Sequence, residues 1–162
     1  MRDPLGLARA LALLVPAALL AGAFGSEVWG GLYPCEMCWW QRYAHFAALA
    51  CAAVALGAGR MPDRGRSFVW LAAFAIFASG AIGFYHAGVE LRYFEGFSHC
   101  ATTSAGRSAE ELLKSVFDAP LVRCDEVQWS LFGISMAGWN AILSLGSALV
   151  ILWLSLKRPR AA

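Results

Sequence analysis

Pro34-Cys35-Glu36-Met37-Cys38-Trp39-Trp40-Gln41-Arg42 joins a short polar segment to a long apolar one and sets two thiols at the junction. The residues that follow, from about Trp39 to Gly57, are almost free of charge, so the junction reads as the point where a chain enters a membrane. Paired thiols at such a boundary point to redox chemistry. Cys-x-x-Cys also occurs in zinc sites, haem attachment sites and soluble oxidoreductases, so the rest of the chain must decide.

Crossing ~30 Å of hydrocarbon takes about 20 residues of helix, with roughly 17 to 25 tolerated. Four stretches qualify: about Leu5 to Phe24, Trp39 to Gly57, Phe68 to Tyr85 and Gly133 to Leu156. Lipid offers nothing to an unpaired backbone group, so each is expected to be a helix. Pro16 is expected to kink the first. Arg2, Arg9 and the small residues Ala21-Gly22-Ala23 also resemble a secretory signal. The run is long enough to span, however, and another span follows it, so it reads as a retained helix. The fold expected is all-α: an antiparallel four-transmembrane-helix bundle, residues 1–162 forming a single integral membrane domain with outer loops at about 25–38 and 86–132.

Composition agrees, since 59% of the 162 residues are hydrophobic and only 15% are charged. A formal net charge of +2, with no basic run interleaved with aromatics, sets nucleic-acid binding aside. Basic residues fix the orientation: Arg2 and Arg9, then Arg60, Arg64 and Arg66, then Lys157, Arg158 and Arg160 mark the inner side. Both termini are therefore expected inside and both cysteine-bearing loops outside. In the second outer loop Ser108-Ala109-Glu110-Glu111 fits a capping box, and Leu112, Leu113, Val116 and Phe117 form a stripe ending before Pro120. This predicts a short amphipathic helix, lying on the membrane or packed on the bundle, between Cys100 and Cys124.

A helix starting near Cys35 or Cys38 presents amides and a dipole that favour a thiolate. Arg42, one turn beyond Cys38 on the same face, can stabilise that charge or bind an oxygen-bearing ligand, although spacing alone favours an arginine reaching out to head groups. Haem attachment fails because Trp39 stands where a histidine is required, and no βαβ pattern supports a thioredoxin fold. Two readings without redox turnover remain: a zinc site of Cys35, Cys38, Cys100 and Cys124, whose second pair lacks the usual close spacing, and a disulfide that only staples the loops. His86 reads as an interfacial histidine or a ligand-bonding one, with His45 below Arg42 and His99 beside Cys100. Gln41 is expected to pack or cap, Cys51 to pack, and Glu90 and Glu95 to be solvated. Ser144, Gly146 and Ser147 look like close helix contacts, and the tryptophans like a membrane-interface belt.

Together these residues resemble the bacterial DsbB-type disulfide bond formation proteins, membrane thiol oxidases that use quinone. The resemblance rests on Pro34-Cys35-Glu36-Met37-Cys38 with Gln41-Arg42, on Tyr85-His86-Ala87-Gly88-Val89-Glu90, and on Cys100 and Cys124 bracketing the second outer loop. It also includes Trp129-Ser130-Leu131-Phe132-Gly133-Ile134-Ser135-Met136, and it covers nearly the whole chain. It implies a protein of the bacterial inner membrane with its cysteine loops in the periplasm. A reduced DsbA-like periplasmic thiol oxidase is the implied partner, attacking a Cys100–Cys124 disulfide at Cys100. Cys124 then exchanges with Cys35 and releases Cys38, which attacks a membrane quinone, ubiquinone or menaquinone, with Cys35 resolving the product. Arg42 and His86 are the implied quinone-binding residues, and no metal is implied. A DsbA-type disulfide sits at about −120 mV, so an ordinary, more reducing protein disulfide cannot regenerate it and a quinone can serve as the sink.

Overall fold

The computed structural model describes residues 3–96 and 122–157. Four long helices dominate: α1 (Pro4–Gly30), α2 (Glu36–Gly57), α3 (Arg66–Glu90) and α4 (Met136–Leu156). All four are long and apolar enough to cross a membrane. α2 and α4 each pack against both α1 and α3, while α1 and α3 touch lightly across the diagonal. Arg42 of α2 meets Glu27 of α1, Ser79 of α3 meets His45 of α2, and Trp70 of α3 meets Ser155 of α4, so consecutive helices run antiparallel.

The helices differ at their ends from the hydropathy reading, and for local reasons. α1 continues unbroken through buried Pro16 and reaches Gly30 instead of stopping near Phe24. Glu27, the charge that ends the apolar run, is matched by Arg42 from α2. Gly31, in the left-handed region at φ 65°, stops the helix; its amide donates to the Glu27 carbonyl and that of Leu32 to the Ser26 carbonyl. α2 begins at Glu36 with Cys35 as its extended N-terminal cap. α3 runs past Tyr85 to Glu90, and Asp63 accepts from the amides of Gly65 and Ser67 at its start.

α4 starts at Met136 and not at Gly133. A hairpin precedes it, pairing β1 (Ser130–Leu131) with β2 (Ile134–Ser135), with Phe132 and Gly133 both at positive φ in its two-residue turn. Ser135 then caps α4 by accepting from the Gly138 amide at 3.1 Å. The amphipathic helix expected after Ser108 lies outside the described residues.

The bundle interior changes along its length. Towards the end where α2 turns into α3 it is apolar and built from small residues, among them Ala8, Ala12, Ala48, Ala52, Ala72 and Ala73, with Ile76 and Ile151 filling the middle. Cys51 packs against this cluster. Alanines let backbones approach closely where lipid supplies no hydrophobic drive for helix association. Towards the other end the interior is polar: Gln41, Arg42, His45, Ser79, His86 and Ser144 are all buried. Gly80 and Gly83 bring α3 against α4 there; a Cβ at Gly83 would stand 3.0 Å from the Ala137 carbonyl oxygen and from Asn140 Nδ2.

Candidate functional site

Three cysteines meet at the polar end. Cys35 sits on extended backbone ahead of α2, which turns its sulfur inward, and Cys38 follows one turn later with its Sγ 3.4 Å away. Cys124, from the connection between α3 and β1, is buried against them with Met37 and Val89. Cys35 Sγ, Cys124 Sγ and a ring nitrogen of His86 all lie within 4.8 Å of one another, and Nε2 is 3.6 Å from Cys35 Sγ. Cys35 is 4% exposed, whereas Cys38 is only partly buried, so the two thiols of the motif are not equivalent. His86 thus stands beside Cys35. Cys100 and His99 lie outside the described residues.

Behind the thiols a chain of hydrogen bonds runs into the bundle. The Gln41 carboxamide donates through Nε2 to the Met37 carbonyl at 3.2 Å and faces His86 Nδ1 at 3.1 Å. With Gln41 as donor, Nδ1 accepts, and Nε2 carries the proton towards Cys35 and towards Glu90 Oε1 at 3.8 Å. Asn140 Nδ2 donates to Gln41 Oε1 at 2.7 Å, and Asn140 Oδ1 accepts from His45 Nε2 at 3.0 Å and from the Ser144 hydroxyl at 3.0 Å. Ser79 closes the group: its hydroxyl donates to the Gln41 carbonyl at 3.1 Å and lies 2.9 Å from His45 Nε2. Polar groups buried this deeply must satisfy one another, which is why they form one network.

The sequence reading missed two members of that network and misplaced a third residue. Asn140 is a lone carboxamide in an apolar span, a signal that marks an interior polar partner. Ser79 carried no signal beyond its polarity. Glu90, expected in solvent, has a side chain only 8% exposed because α3 carries it inward beside His86. Gln41 does reach back to Met37, as a packing or capping role predicts, but its other contacts make it the hinge between His86 and Asn140.

Arg42 does not reach out to head groups. It is buried, its Nη1 is 2.6 Å from Glu27 Oε2, and its Nη2 donates to the Ala23 carbonyl at 3.1 Å. Its guanidinium lies over the rings of Phe24 and Trp39, at 4.4 and 4.9 Å from their centroids. Arg42, Cys38, Cys35, His86 and Trp139 line one cavity of about 550 Å³ whose walls are mostly apolar. An apolar cleft with a few convergent polar groups suits a flat, largely apolar ligand with polar edges.

The match to known proteins covers nearly the whole of this arrangement. The family model described as Disulfide bond formation protein DsbB matches residues 6–154. A Disulfide bond formation protein B of Marinobacter nauticus is 32% identical over 152 residues, covering 89% of this chain and 86% of that one. One from Xanthomonas euvesicatoria pv. vesicatoria is 32% identical over 158 residues, covering 94% and 91%, and one from Aromatoleum aromaticum is 31% identical over 138, covering 79% of each. No solved structure matches.

Proposed function

Because this chain belongs to the disulfide bond formation protein DsbB family, we propose that it reoxidises a periplasmic DsbA-like thiol oxidase and passes the electrons through two cysteine pairs to a membrane quinone. Membership makes it a multi-pass bacterial membrane protein of disulfide bond formation. The finer reading rests on one observation: Cys124, remote in sequence, lies within 4.8 Å of Cys35 through their sulfurs, and Cys35 lies 3.4 Å from Cys38. Thiol–disulfide exchange needs a sulfur to reach a sulfur, and this row supports successive attacks.

In the proposed sequence the partner's dithiol reduces a Cys100–Cys124 disulfide and leaves as a disulfide. The Cys124 thiolate then attacks Cys35 of a Cys35–Cys38 disulfide; the Cys35–Cys124 bond forms, and Cys38 leaves as a thiolate. His86 Nε2–H, 3.6 Å from Cys35 Sγ, can hydrogen-bond sulfur as its charge changes. Arg42 supplies a fixed positive charge on the cavity wall that Cys38 shares. Cys38, Arg42 and His86 would hold the quinone, ubiquinone or menaquinone, which when bound supplies a two-electron acceptor. The apolar walls exclude water from the thiolate. The thiol end is assigned to the periplasm and both termini to the cytoplasm, because Arg60, Arg64 and Arg66 lie at the opposite end.

Purified protein given a reduced DsbA-like partner and a soluble quinone is expected to reduce the quinone. Cys38→Ala should bring turnover to the uncatalysed level while leaving thermal stability unchanged. Undiminished turnover in that variant would sink the mechanism.

A further inference from the structure

We propose that the thiol form of this cluster is a binding site for a thiophilic divalent cation of the Zn²⁺ class, with Cys35, Cys124 and His86 as ligands and a fourth position left to water. The three principal ligand atoms are buried and lie within 4.8 Å of one another. Cys38 Sγ is 3.4 Å from Cys35 Sγ, and His86 Nε2 is 3.6 Å from it. Zinc–sulfur bonds of ~2.3 Å and zinc–nitrogen bonds of ~2.0–2.1 Å put tetrahedral ligand atoms about 3.5–3.8 Å apart, so the ligand atoms of Cys35, Cys124 and His86 need to close by about 1 Å. The set differs from a zinc site made of four cysteines in having His86 as a ligand.

Each of the two ligating thiols gives up its proton, and the two thiolates neutralise the dication, with the imidazole as a neutral ligand. When Nε2 binds a metal, Nδ1 must donate, and Gln41, now 3.1 Å from Nδ1, can present its oxygen there only by giving up its bonds to the Met37 carbonyl and to Asn140. Glu90 lies on the other side of His86, and its Oε2 is buried with no hydrogen-bond partner among the described residues. That carboxylate adds attraction for a cation.

Disulfide formation removes two thiolates at once, so only the reduced chain can hold the cation. Occupancy would then oppose reoxidation and keep the relay reduced. This regulatory consequence rests on the redox reading above; the binding itself does not.

The test uses full-length protein in detergent, reduced with a phosphine that does not chelate metals, loaded with Zn²⁺ or Co²⁺ and desalted. One metal per reduced chain is expected, with the visible bands of tetrahedral thiolate-bound Co²⁺, and none in the oxidised chain. Cys124→Ser and His86→Gln should each weaken binding at least tenfold, the glutamine keeping the site polar should alanine disturb the fold. Cys51→Ser should leave binding unchanged. No retained metal, or retention indifferent to His86→Gln, would overturn the site. Turnover with quinone but no metal binding would remove this proposal alone, whereas metal binding without turnover would support the site and remove the redox reading.

Discussion

The two halves of the bundle use the same four helices in opposite ways. In the apolar half the contacts are alanine against alanine, and buried residues such as Ala52 and Ala72 ask for nothing but proximity. In the thiol half the same faces carry His86, Gln41, Asn140, His45 and Ser79, each tied to the next by a hydrogen bond. α3 changes character within itself: Val69, Ala72, Ala73 and Ile76 give way on the same face to Ser79, Gly80, Gly83 and His86. Lipid is as apolar as the alanine core, so burying that core gains little over leaving it in lipid, and close packing and the polar network must fix how the helices meet. One half is a scaffold whose register the other half needs.

The largest break in this contrast should come at Arg42. Arg42→Leu removes one partner of an ion pair whose arginine is 6% exposed and leaves Glu27, 28% exposed, without its match. A fully buried pair broken this way costs about 3–5 kcal/mol, and the exposure of Glu27 brings the expected loss to about 2–3 kcal/mol. The double variant Arg42→Leu with Glu27→Leu should recover most of the stability, read as unfolding in detergent, without recovering the apparent quinone affinity. Recovery of both would mean that Arg42 acts only as a strut.

Asn140→Leu comes next. It leaves Gln41 Oε1 without its donor and His45 Nε2 without one acceptor, at a cost of about 1–3 kcal/mol. Because Gln41 orients His86, turnover should fall as well, whereas Ala148→Leu in the apolar half should reduce stability without a specific effect on thiol exchange. Equal loss of turnover per unit of stability in both variants would erase the distinction between network and scaffold.

The contrast also explains what could be read from the sequence. Four apolar runs announce four helices because lipid leaves the backbone no alternative. Their ends were less legible, since Glu27 and Glu90 look like the edges of spans yet lie within helices, Glu27 met by Arg42 from α2 and Glu90 turned inward beside His86 one turn back on α3. The hairpin before α4 depended on Phe132 accepting a positive φ, and only the glycine beside it hinted at a turn. Cys35 and Cys38 were legible as a pair from local spacing. Cys124 gives no local sign of where the fold will carry it, and its place beside them came first from family resemblance and then from the tertiary structure. Asn140 was readable as a polar residue in an apolar span, but its partners were not.

A smaller effect separates the halves by packing alone. Gly83→Ala places a Cβ 3.0 Å from the Ala137 carbonyl oxygen and 3.2 Å from the Ala141 amide nitrogen, which are backbone atoms that cannot swing away. Overpacking there should cost about 1–2 kcal/mol and widen the α3–α4 contact that holds Asn140. Gly146→Ala on α4 meets nothing within 4 Å and should be neutral or slightly stabilising. Comparable destabilisation of both would show that the close approach at Gly83 carries no special weight.

The smallest effect lies at the rim beyond the apolar half, where Asp63 caps α3. Its carboxylate accepts from the Ser67 hydroxyl and from the amides of Ser67 and Gly65, and these bonds, the hydroxyl's foremost, hold its pKa down to about 2. A carboxylate depressed on folding from an ordinary value of about 3.9 contributes fully above that value and loses its contribution as pH falls towards the folded pKa. Asp63 is fully exposed, so the contribution is local and weakened by solvent screening. The Ser67 amide should therefore be more protected from hydrogen exchange in the wild type than in Asp63→Asn at pH 6, and the two should converge near pH 2 once intrinsic rates are divided out. Ala72, one turn and more into the apolar half, should show no difference at either pH. A parallel loss at Ala72 would mean that the rim and the alanine core open as one unit, and that the scaffold half is less independent of its aqueous cap than its packing implies.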